Sequence, residues 1–362
     1  MIFGTVEAET SGGYLVRVVK IALLASLAFF SVAAQGQPPA TKTSLTGPDI
    51  VIQNPKPYPF KFVVYGDMRF TEHDSYFIYH IANGVARQDI VDDIARKKPV
   101  FVGITGDLVF RGFDSDDWKY FDKGIAPLRK ANIPIFPALG NHEVGPYPSW
   151  LQRFYRGRNL VAAGLENYHK EFPEIPANRG WYSVEYADCY LLILDSHIDY
   201  GEGSPQRGWM ERQLDSLPAQ IDYVLVLLHR PPYTAAPDAM HRARPQEKEL
   251  AAMLEVRQKT MRARVLVIAG HVHNYERYEF NGVEYIVSGG GGAEPYKFTR
   301  SKDDLYRSQD PLTQDQYHYC MITVDQAKDH AKLKFEMMRL NDKGKFDVRD
   351  KFELDTAPDK AK

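Results

Sequence analysis

The most regular pattern in the chain is a set of five short apolar runs that each end in polar residues. Each run has four to seven β-branched or other apolar residues and closes on Gly or a turn residue, which is typical of a buried β-strand. The runs are FKFVVYGD (60–67), VFVGITGD (100–107), IPIFPALGNHE (133–143), DYVLVLLH (222–229) and RVLVIAGHVH (264–273). Ligands of open α/β sheets bind just outside the carboxyl ends of the strands. We therefore expect one polar cluster at one edge of a sheet.

Helical patterns and further strands lie between and after these runs. Segment 114–130 repeats large apolar residues at spacings of three and four, which predicts one helix face. Ser204 and Pro205 are an N-cap and a first-turn proline, which predict the start of a second helix. A third helix is predicted over 244–259. Further strands are predicted over 181–186, 189–195 and 283–292, and three antiparallel strands over 317–325, 332–340 and 346–354.

The order of these elements predicts a mixed α/β fold in one domain over 58–356, with α/β alternation first and an antiparallel sheet later. Residues 35–57 are rich in Pro, Thr, Gln and Gly and are predicted to be a linker. Residues 357–362 are predicted to be a polar tail. We find no internal repeat in the chain.

Composition narrows the class of protein only slightly. The 362 residues are 44% hydrophobic, and the formal net charge is −2. Without a long Lys/Arg cluster there is no electrostatic case for nucleic acid as a partner. Two cysteines, Cys189 and Cys320, lie in predicted strands, where they permit either one disulfide or two buried free thiols.

The N-terminus predicts export. Arg17 and Lys20 precede an apolar run over 21–34 that is too short for a comfortable membrane span but suits a signal peptide over 1–34. A buried helix is the alternative. The long stretch before Arg17 suggests that the true start lies near Val16. We expect a secreted or periplasmic protein with no stable membrane span after signal cleavage.

The polar residues at the five strand ends have the chemistry of metal ligands. A lone Gly-Asp after a strand is usually a tight turn, so the hypothesis rests on all five strand ends together. Carboxylate, amide and imidazole donors suit Fe, Mn or Zn better than Cu(I). The candidate residues are Asp67, Asp107, Asn141, His142, His229, His271 and His273.

The segments GNHE, LLHRPPY, GHVHNYER and SGGGGA follow one another within residues 60–295. With them the chain resembles the calcineurin-like metallophosphoesterases, and most of all their purple-acid-phosphatase branch. The resemblance implies a four-layer αββα sandwich of two mixed β-sheets flanked by helices, with two metal ions at the strand ends. It implies phosphate ester hydrolysis by attack of a metal-bound hydroxide. The implied ligands are Asp107 bridging both metals, Asp67 and His273 on the first, and Asn141, His229 and His271 on the second.

The resemblance also implies roles around the metals. His142, next to Asn141, would protonate the leaving oxygen or bind the phosphate. Tyr233 and His241 lie in loops beside motif residues and are candidates for substrate binding, with packing as the alternative. The remaining histidines outside any motif, apart from the loop residue His73, are interpreted as structural: His80, His169, His197, His318 and His330.

Two positions depart from the family pattern at the first metal. Arg69 stands where many relatives have the histidine of GDxH, and Phe110 stands where purple acid phosphatases have a tyrosine. Neither side chain can be a ligand. Water or substrate could fill the gap and leave an open first site, or His73 or Asp74 could substitute. Alternatively, the first site could be weakly occupied, with the enzyme working mainly on the second metal. We favour the first alternative, with Arg69 holding a phosphate oxygen.

The leading hypothesis is a secreted, metal-dependent phosphohydrolase that acts on phosphomonoesters of small molecules. A phosphodiesterase acting on cyclic nucleotides or other diesters is the alternative within the same class. A metal-binding but inactive module is the alternative of another class; the incomplete first ligand set favours it, and His142 argues against it. The sequence makes no prediction of oligomeric state.

Overall fold

A computed structural model describes residues 47–356, apart from 77–78, 146, 148, 156–157, 237, 297–315 and 328–329. The predicted signal peptide, most of the predicted linker and the predicted tail lie outside the described residues. The helices are α1 (Gly84–Lys97), α2 (Ser115–Lys130), α3 (Asn141–Val144), α4 (Ser149–Phe154), α5 (Leu160–Glu171), α6 (Pro205–Asp215) and α7 (Pro245–Gln258).

The strands are β1 (Ile50–Val51), β2 (Phe60–Tyr65), β3 (Ser75–Tyr76), β4 (Tyr79–His80), β5 (Val102–Ile104), β6 (Ile135–Pro137), β7 (Tyr182–Tyr186), β8 (Cys189–Ile193), β9 (Tyr223–Leu228), β10 (Arg264–Ala269), β11 (Tyr275–Phe280), β12 (Val283–Ser288), β13 (His318–Ala327), β14 (His330–Leu340) and β15 (Phe346–Asp355). One sheet has the order β1-β7-β8-β9-β10-β12-β11, and the other has the order β15-β14-β13-β2-β5-β6. Strands β3 and β4 form a separate pair.

The two large sheets lie face to face and are covered by helices on their outer faces. Leu225 and Leu227 of β9 belong to the core shared with β2 and β5, whereas Val224 and Val226 pack outward against α6 and α7. Helices α1 and α2 cover the other sheet with apolar faces that include Ile90. The predicted αββα sandwich of two mixed sheets is therefore confirmed.

The predicted helix starts are confirmed in detail. The Asp114 side chain accepts a hydrogen bond from the Asp116 N–H and caps α2. The Ser204 hydroxyl accepts from the Arg207 N–H at 3.2 Å and caps α6. The three late strands are antiparallel as predicted. The elements that were not predicted are helices α1, α3, α4 and α5 and strands β1, β3, β4 and β11.

The packed chain begins earlier than residue 58. Strand β1 pairs in parallel with β7, inside the segment predicted as a linker. The Asp49 carboxylate accepts from the Ser183 N–H at 2.9 Å and from its hydroxyl at 3.1 Å, which anchors β1. The structure therefore moves the N-terminal boundary of the folded part to about this strand.

Both cysteines are free and buried, Cys189 in β8 of one sheet and Cys320 in β13 of the other. Of the two alternatives, the structure has the two free thiols. Within the part of the chain that the structure describes, no helix is both long and apolar enough to cross a membrane.

The topology brings the candidate residues to one edge. Strands β2, β5 and β6 are parallel neighbours in one sheet, and β8, β9 and β10 are parallel neighbours in the other. Their carboxyl ends carry the polar residues that the sequence pattern singled out.

Candidate metal centre

Left-handed turns direct the two strand-end aspartates into one space. Asp67 has φ of 60° and Asp107 has φ of 53°, both in the region that non-glycine residues seldom adopt. The Asp67 N–H donates to the Gly106 carbonyl at 3.0 Å, and the Arg69 N–H donates to the Asp107 carbonyl at 2.9 Å. These bonds lock the turns after β2 and β5 together, so the two carboxylates share one buried site.

Glycines at the strand ends permit this close approach. A Cβ at Gly140 would lie 2.2 Å from Asp107 Oδ1, and a Cβ at Gly106 would lie 2.7 Å from His229 Nδ1. Gly106 also has φ of 94°, which favours glycine. The glycines of the GD and GN pairs are thus steric requirements of the site.

Each of four histidines uses one ring nitrogen on a main-chain carbonyl. His229 Nδ1 lies 2.9 Å from the Thr105 oxygen, His273 Nδ1 lies 2.8 Å from that of Glu294, His142 Nδ1 lies 2.6 Å from that of Phe110, and His271 Nε2 lies 3.0 Å from that of Met240. Because a carbonyl only accepts, Nδ1 of His229, His273 and His142 carries the proton, and the other nitrogen of these three rings is left with its lone pair. His271 Nε2 also lies 3.0 Å from Arg230 Nη1, which only donates, so these contacts leave both tautomers open to His271.

Burial keeps these rings neutral. It lowers the pKa of His229 to about 3 and that of His142 to about 4, and it lowers the pKa of His271 and His273 well below the ordinary value. Arg69 lowers the pKa of His142 and His273 further. Neutral imidazole with a defined tautomer is the form that binds metal ions.

Three side-chain atoms of metal-ligand type lie close to His229 Nε2. This nitrogen lies 3.0 Å from Asn141 Oδ1, 3.1 Å from His271 Nδ1 and 3.4 Å from Asp107 Oδ1. Donors bound to one ion at about 2.1 Å are separated by roughly 3.0–3.4 Å. The lone pairs of Asn141 Oδ1 and Asp107 Oδ1 repel that of His229 Nε2 at these distances unless a cation lies between them. The set therefore fits the second metal ion that the family implies.

A second group of donors lies next to the first. One ligand atom from each of Asp67, Asp107 and His273 lies within 4.8 Å of the others, and all three residues are buried. His273 Nε2 is 3.5 Å from Asp67 Oδ1 and has no hydrogen-bond partner among the described residues. This set fits a first metal ion.

The two carboxylates need positive charge nearby. Burial, and then the negative charge of Asp107, raises the pKa of Asp67 well above its usual range. Burial also acts to raise the pKa of Asp107, but the Arg69 guanidinium and the hydrogen bond from the His142 N–H help to hold that pKa well below the usual range. Two buried carboxylates in contact favour a bound cation.

Arg69 occupies the first-site side of Asp107. Its Nε and Nη2 lie 3.4 and 3.2 Å from Asp107 Oδ2, and its side chain is 15% exposed. Arg87 of α1 donates to the Met68 and Arg69 carbonyls at 3.2 and 3.1 Å and fixes this loop. The Phe110 ring lies 5.2 Å from the His142 ring, so Phe110 contacts His142 through both its carbonyl oxygen and its ring.

The suggested substitute ligands are engaged elsewhere. The Asp74 carboxylate accepts from Arg87 Nη2 at 3.1 Å and from the Gly84 N–H at 2.8 Å. The His73 side chain is 67% exposed beside Glu72. The structure brings neither side chain to the candidate centre.

The two candidate substrate-binding residues have different positions. The Tyr233 hydroxyl donates to Glu255 at 2.9 Å, and its ring packs on Phe280 and Tyr285 outside the sheet. These contacts fit the packing alternative for Tyr233, and its role in substrate binding stays a prediction. The His241 ring lies 5.1 Å from the His271 ring, at the rim of the centre.

Two residues at the centre were missed by sequence reasoning. The Tyr296 ring stacks on His273 at 4.2 Å, and its hydroxyl lies 3.1 Å from His241 Nε2. No motif points to Tyr296. The His197 ring lies 5.6 Å from the His229 ring, although His197 was interpreted as structural. It follows β8 as the other candidates follow their strands, so the strand-end pattern could have found it.

Comparison with known proteins agrees with this geometry. The family model for calcineurin-like phosphoesterases matches residues 60–275, more than half of the chain. The chain is 28% identical over 270 residues to probable purple acid phosphatase 20 of Arabidopsis thaliana, with 70% of this chain and 57% of that protein covered. It is 28% identical over 314 residues to probable inactive purple acid phosphatase 1 of the same plant, covering 77% and 48%.

A solved structure shows the same fold. Purple acid phosphatase PPD1 from yellow lupin (Lupinus luteus) seeds superposes with a TM-score of 0.64 at 23% identity, over 83% of this chain and 54% of that one. The chain thus spans about half the length of these relatives. On its family match, the chain belongs to the calcineurin-like phosphoesterases, and it is similar to purple acid phosphatases within them.

Proposed function

We propose that this protein is a metal-dependent phosphohydrolase that acts on phosphomonoesters of small molecules. The observation that carries the proposal is the set of His229 Nε2 and the three atoms around it, Asn141 Oδ1, Asp107 Oδ1 and His271 Nδ1. The two oxygens and the unprotonated His229 nitrogen have no proton to offer one another. Such a set binds a cation, and cations of the Fe, Mn or Zn class suit its oxygen and nitrogen donors.

In this proposal Asp107 serves both metal sites, because its Oδ1 faces His229 and its Oδ2 faces Arg69. Asp67 and His273 complete the protein ligands of the first site. Asn141, His229 and His271 complete those of the second. When bound, two such ions lower the pKa of a water molecule and offset the charge of a phosphate ester.

The residues around the ligands would handle the substrate. His142 is held by Phe110, and its Nε2 lies 3.9 Å from Asp107 Oδ2, so it faces the space in front of both sites. Once it has taken up a proton, that nitrogen could donate to a phosphate oxygen or pass the proton to the leaving oxygen. Arg69 and His241 flank the same space. Arg69 and the bound metal ions would attract a doubly charged monoester more strongly than a singly charged diester.

The first metal site has fewer candidate protein ligands than the second. Arg69 and Phe110 offer no ligand, and neither His73 nor Asp74 reaches the centre. We propose that water or substrate completes the first site and that this site is only partly occupied. An inactive metal-binding module is the competing function, favoured by the same gap.

A turnover assay with metal analysis tests the proposal. The protein would be stripped with a chelator, reloaded with Fe, Mn or Zn, and assayed with an aryl monophosphate and a bis-aryl phosphate. We expect the stripped protein to be inactive and the reloaded protein to prefer the monoester. Preference for the diester would indicate a phosphodiesterase, and metal binding without any hydrolysis would indicate the module.

A variant pair sharpens this assay. His142→Asn should lower kcat by roughly 10²–10⁴-fold while the metal content stays the same, because His142 is not among the proposed ligands. His169→Gln is the matched control, since His169 lies on α5 with its ring against Tyr168.

We also propose that residues 1–34 direct export, so that the enzyme acts in the periplasm or outside the cell. The apolar run and the preceding basic residues support this. N-terminal sequencing of the mature protein should find a start just after Ala34, and a start upstream of Arg17 would contradict it.

A further inference from the structure

His197 is a buried histidine whose ring nitrogens are not used within the described residues. Its side chain is 8% exposed, and neither Nδ1 nor Nε2 has a hydrogen-bond partner among the described residues. Buried polar groups are nearly always hydrogen-bonded, because an unpaired one loses its hydrogen bonds to water and gains none in the protein. A nitrogen in this position suits a ligand that enters the site.

The ring lies at the second-metal end of the centre. Strand β8 is the parallel neighbour of β9, so His197 extends the row formed by His229 and His271 by one strand. The His197 and His229 ring centroids are 5.6 Å apart at 34°.

The loop that carries His197 is held rigidly. The Gln206 side chain accepts from the Asp195 N–H at 2.8 Å and donates to the Asp195 carbonyl at 2.9 Å. Arg244 Nη2 donates to the Ser196 carbonyl at 2.6 Å, and the His197 N–H donates to Asp195 Oδ1 at 2.8 Å. Side chains fixed in this way are suited to precise ligand contact.

Asp195 orients the ring. Its Oδ1 lies 3.5 Å from His197 Nδ1, and the carboxylate is itself buried. With Nδ1 turned toward a carboxylate, Nε2 is the nitrogen available to a ligand. Asp195 and Leu139, which precedes Gly140, both lie within 2.7 Å of a Cβ built on Gly180, so the loop lies close to the end of β6.

We propose that His197 is a substrate-binding residue that, as an imidazolium whose Nδ1–H faces Asp195, donates from Nε2–H to a phosphate oxygen on the second-metal side of the centre. The proposal rests on the proposed phosphohydrolase function and adds an imidazole to the residues that recognise the phosphate group. Asp195 is then a positioning residue that holds His197.

Inorganic phosphate binding tests the proposal. The metal-loaded full chain, with His197→Ala, His197→Gln and the control His169→Gln, would be titrated with phosphate in a calorimeter. Loss of one hydrogen bond to a charged group should raise the phosphate Kd roughly tenfold in His197→Ala, with a smaller rise in His197→Gln. The KM for an aryl monophosphate should rise in parallel, while metal content and Tm stay the same and His169→Gln binds as wild type.

Unchanged phosphate affinity in both His197 variants would overturn the proposal. So would a fall in metal content together with phosphate affinity, which would make His197 a metal ligand or a structural residue. If His197→Ala fails to fold, His197→Gln decides alone. If the wild type binds phosphate but shows no turnover, the proposed function is wrong. The role of His197 is then decided by the phosphate Kd of the wild type and the His197 variants. Absence of phosphate binding by wild type would overturn both.

Discussion

Arg69 is the residue that distinguishes this centre from the motif that it resembles. It places a permanent cation on Asp107 Oδ2, on the side where relatives of the GDxH type have a ligand. Its backbone is fixed by Arg87 and has φ of 49°, so the position of the guanidinium is set by the loop after β2. A fork of donors at that place suits a phosphate oxygen.

Replacing Arg69 should weaken substrate binding more than metal binding. Arg69→Ala is expected to raise the KM for an aryl monophosphate by roughly ten- to a hundredfold, because a charged hydrogen bond contributes about 1.5–3 kcal/mol. Metal content should stay the same or rise, since Asp107 Oδ2 loses a competitor. Arg69→Lys should lie between, and the exposed Arg96→Ala is the control. Unchanged KM and kcat in Arg69→Ala would contradict the phosphate contact.

Phe110 leads to a spectroscopic prediction. Because Phe110 has no oxygen, the iron-loaded protein should lack the violet charge-transfer band that a tyrosinate ligand gives. An absorption spectrum of the iron-loaded wild type is the measurement. Tyr296, stacked on His273, provides the control. A violet band that disappears in Tyr296→Phe would show that Tyr296 takes the place of the missing ligand.

The candidate ligands could be predicted from the sequence, but their neighbours could not. Asp67, Asp107 and His229 each end an apolar run, so the local pattern indicates both the strand and its polar end. Tyr233 and Tyr296 both sit in loops beside motifs, and only long-range packing distinguishes them. Tyr233 bonds to Glu255 on a distant helix, whereas Tyr296 reaches His241 across 55 positions of the chain.

At the scale of elements, the centre depends on three strand ends that meet through glycine. Gly140 begins the turn after β6 at φ of −106°, a conformation that any residue tolerates. Glycine is therefore required at position 140 for steric reasons alone, because a Cβ there would lie 2.2 Å from both the Asp107 amide nitrogen and Asp107 Oδ1. The sequence shows Gly140, but it does not show which atoms need the space, because Asp107 follows a different strand.

Gly140→Ala should disturb the second metal site. Relief of this contact requires a shift of β5 against β6, and such overpacking costs about 1–3 kcal/mol. We expect a lower free energy of unfolding and less than full occupancy by metal analysis. Gly208→Ala in α6 is the matched control, since its nearest contact is the end of Arg212 at 3.4 Å. Wild-type metal content in Gly140→Ala would contradict this account of the strand ends.

At the scale of the whole molecule, His318 joins the late antiparallel strands to the Gly-rich segment that follows β12. Its N–H donates to the Gly290 carbonyl at 2.9 Å, its Nδ1 lies 2.7 Å from the Gln316 carbonyl, and its Nε2 lies 3.1 Å from the Ser288 hydroxyl. The late strands were predicted from their alternation, but their place beside β2 depends on contacts such as these. The ring is fully buried and neutral.

Burial lowers the pKa of His318 from the ordinary 6.5 to about 4. A depressed folded-state pKa means that the unfolded chain takes up the proton first. The stability contribution is therefore complete above pH 6.5 and is lost as the pH falls toward 4. At pH 5 the loss attributable to this ring is about 2 kcal/mol. His318→Gln should have a lower stability at pH 7 but a smaller further loss between pH 7 and pH 5.

Denaturant unfolding of wild type and His318→Gln at both pH values measures this difference, and the exposed His73→Gln is the control. Protonation of the buried ligands also lowers stability in acid, but it does so equally in wild type and variant and cancels in the comparison. If both proteins lose the same free energy of unfolding between pH 7 and pH 5, the buried neutral ring is not a source of acid sensitivity. The contacts of His318 with the Gly-rich segment would then have to persist when the ring is protonated.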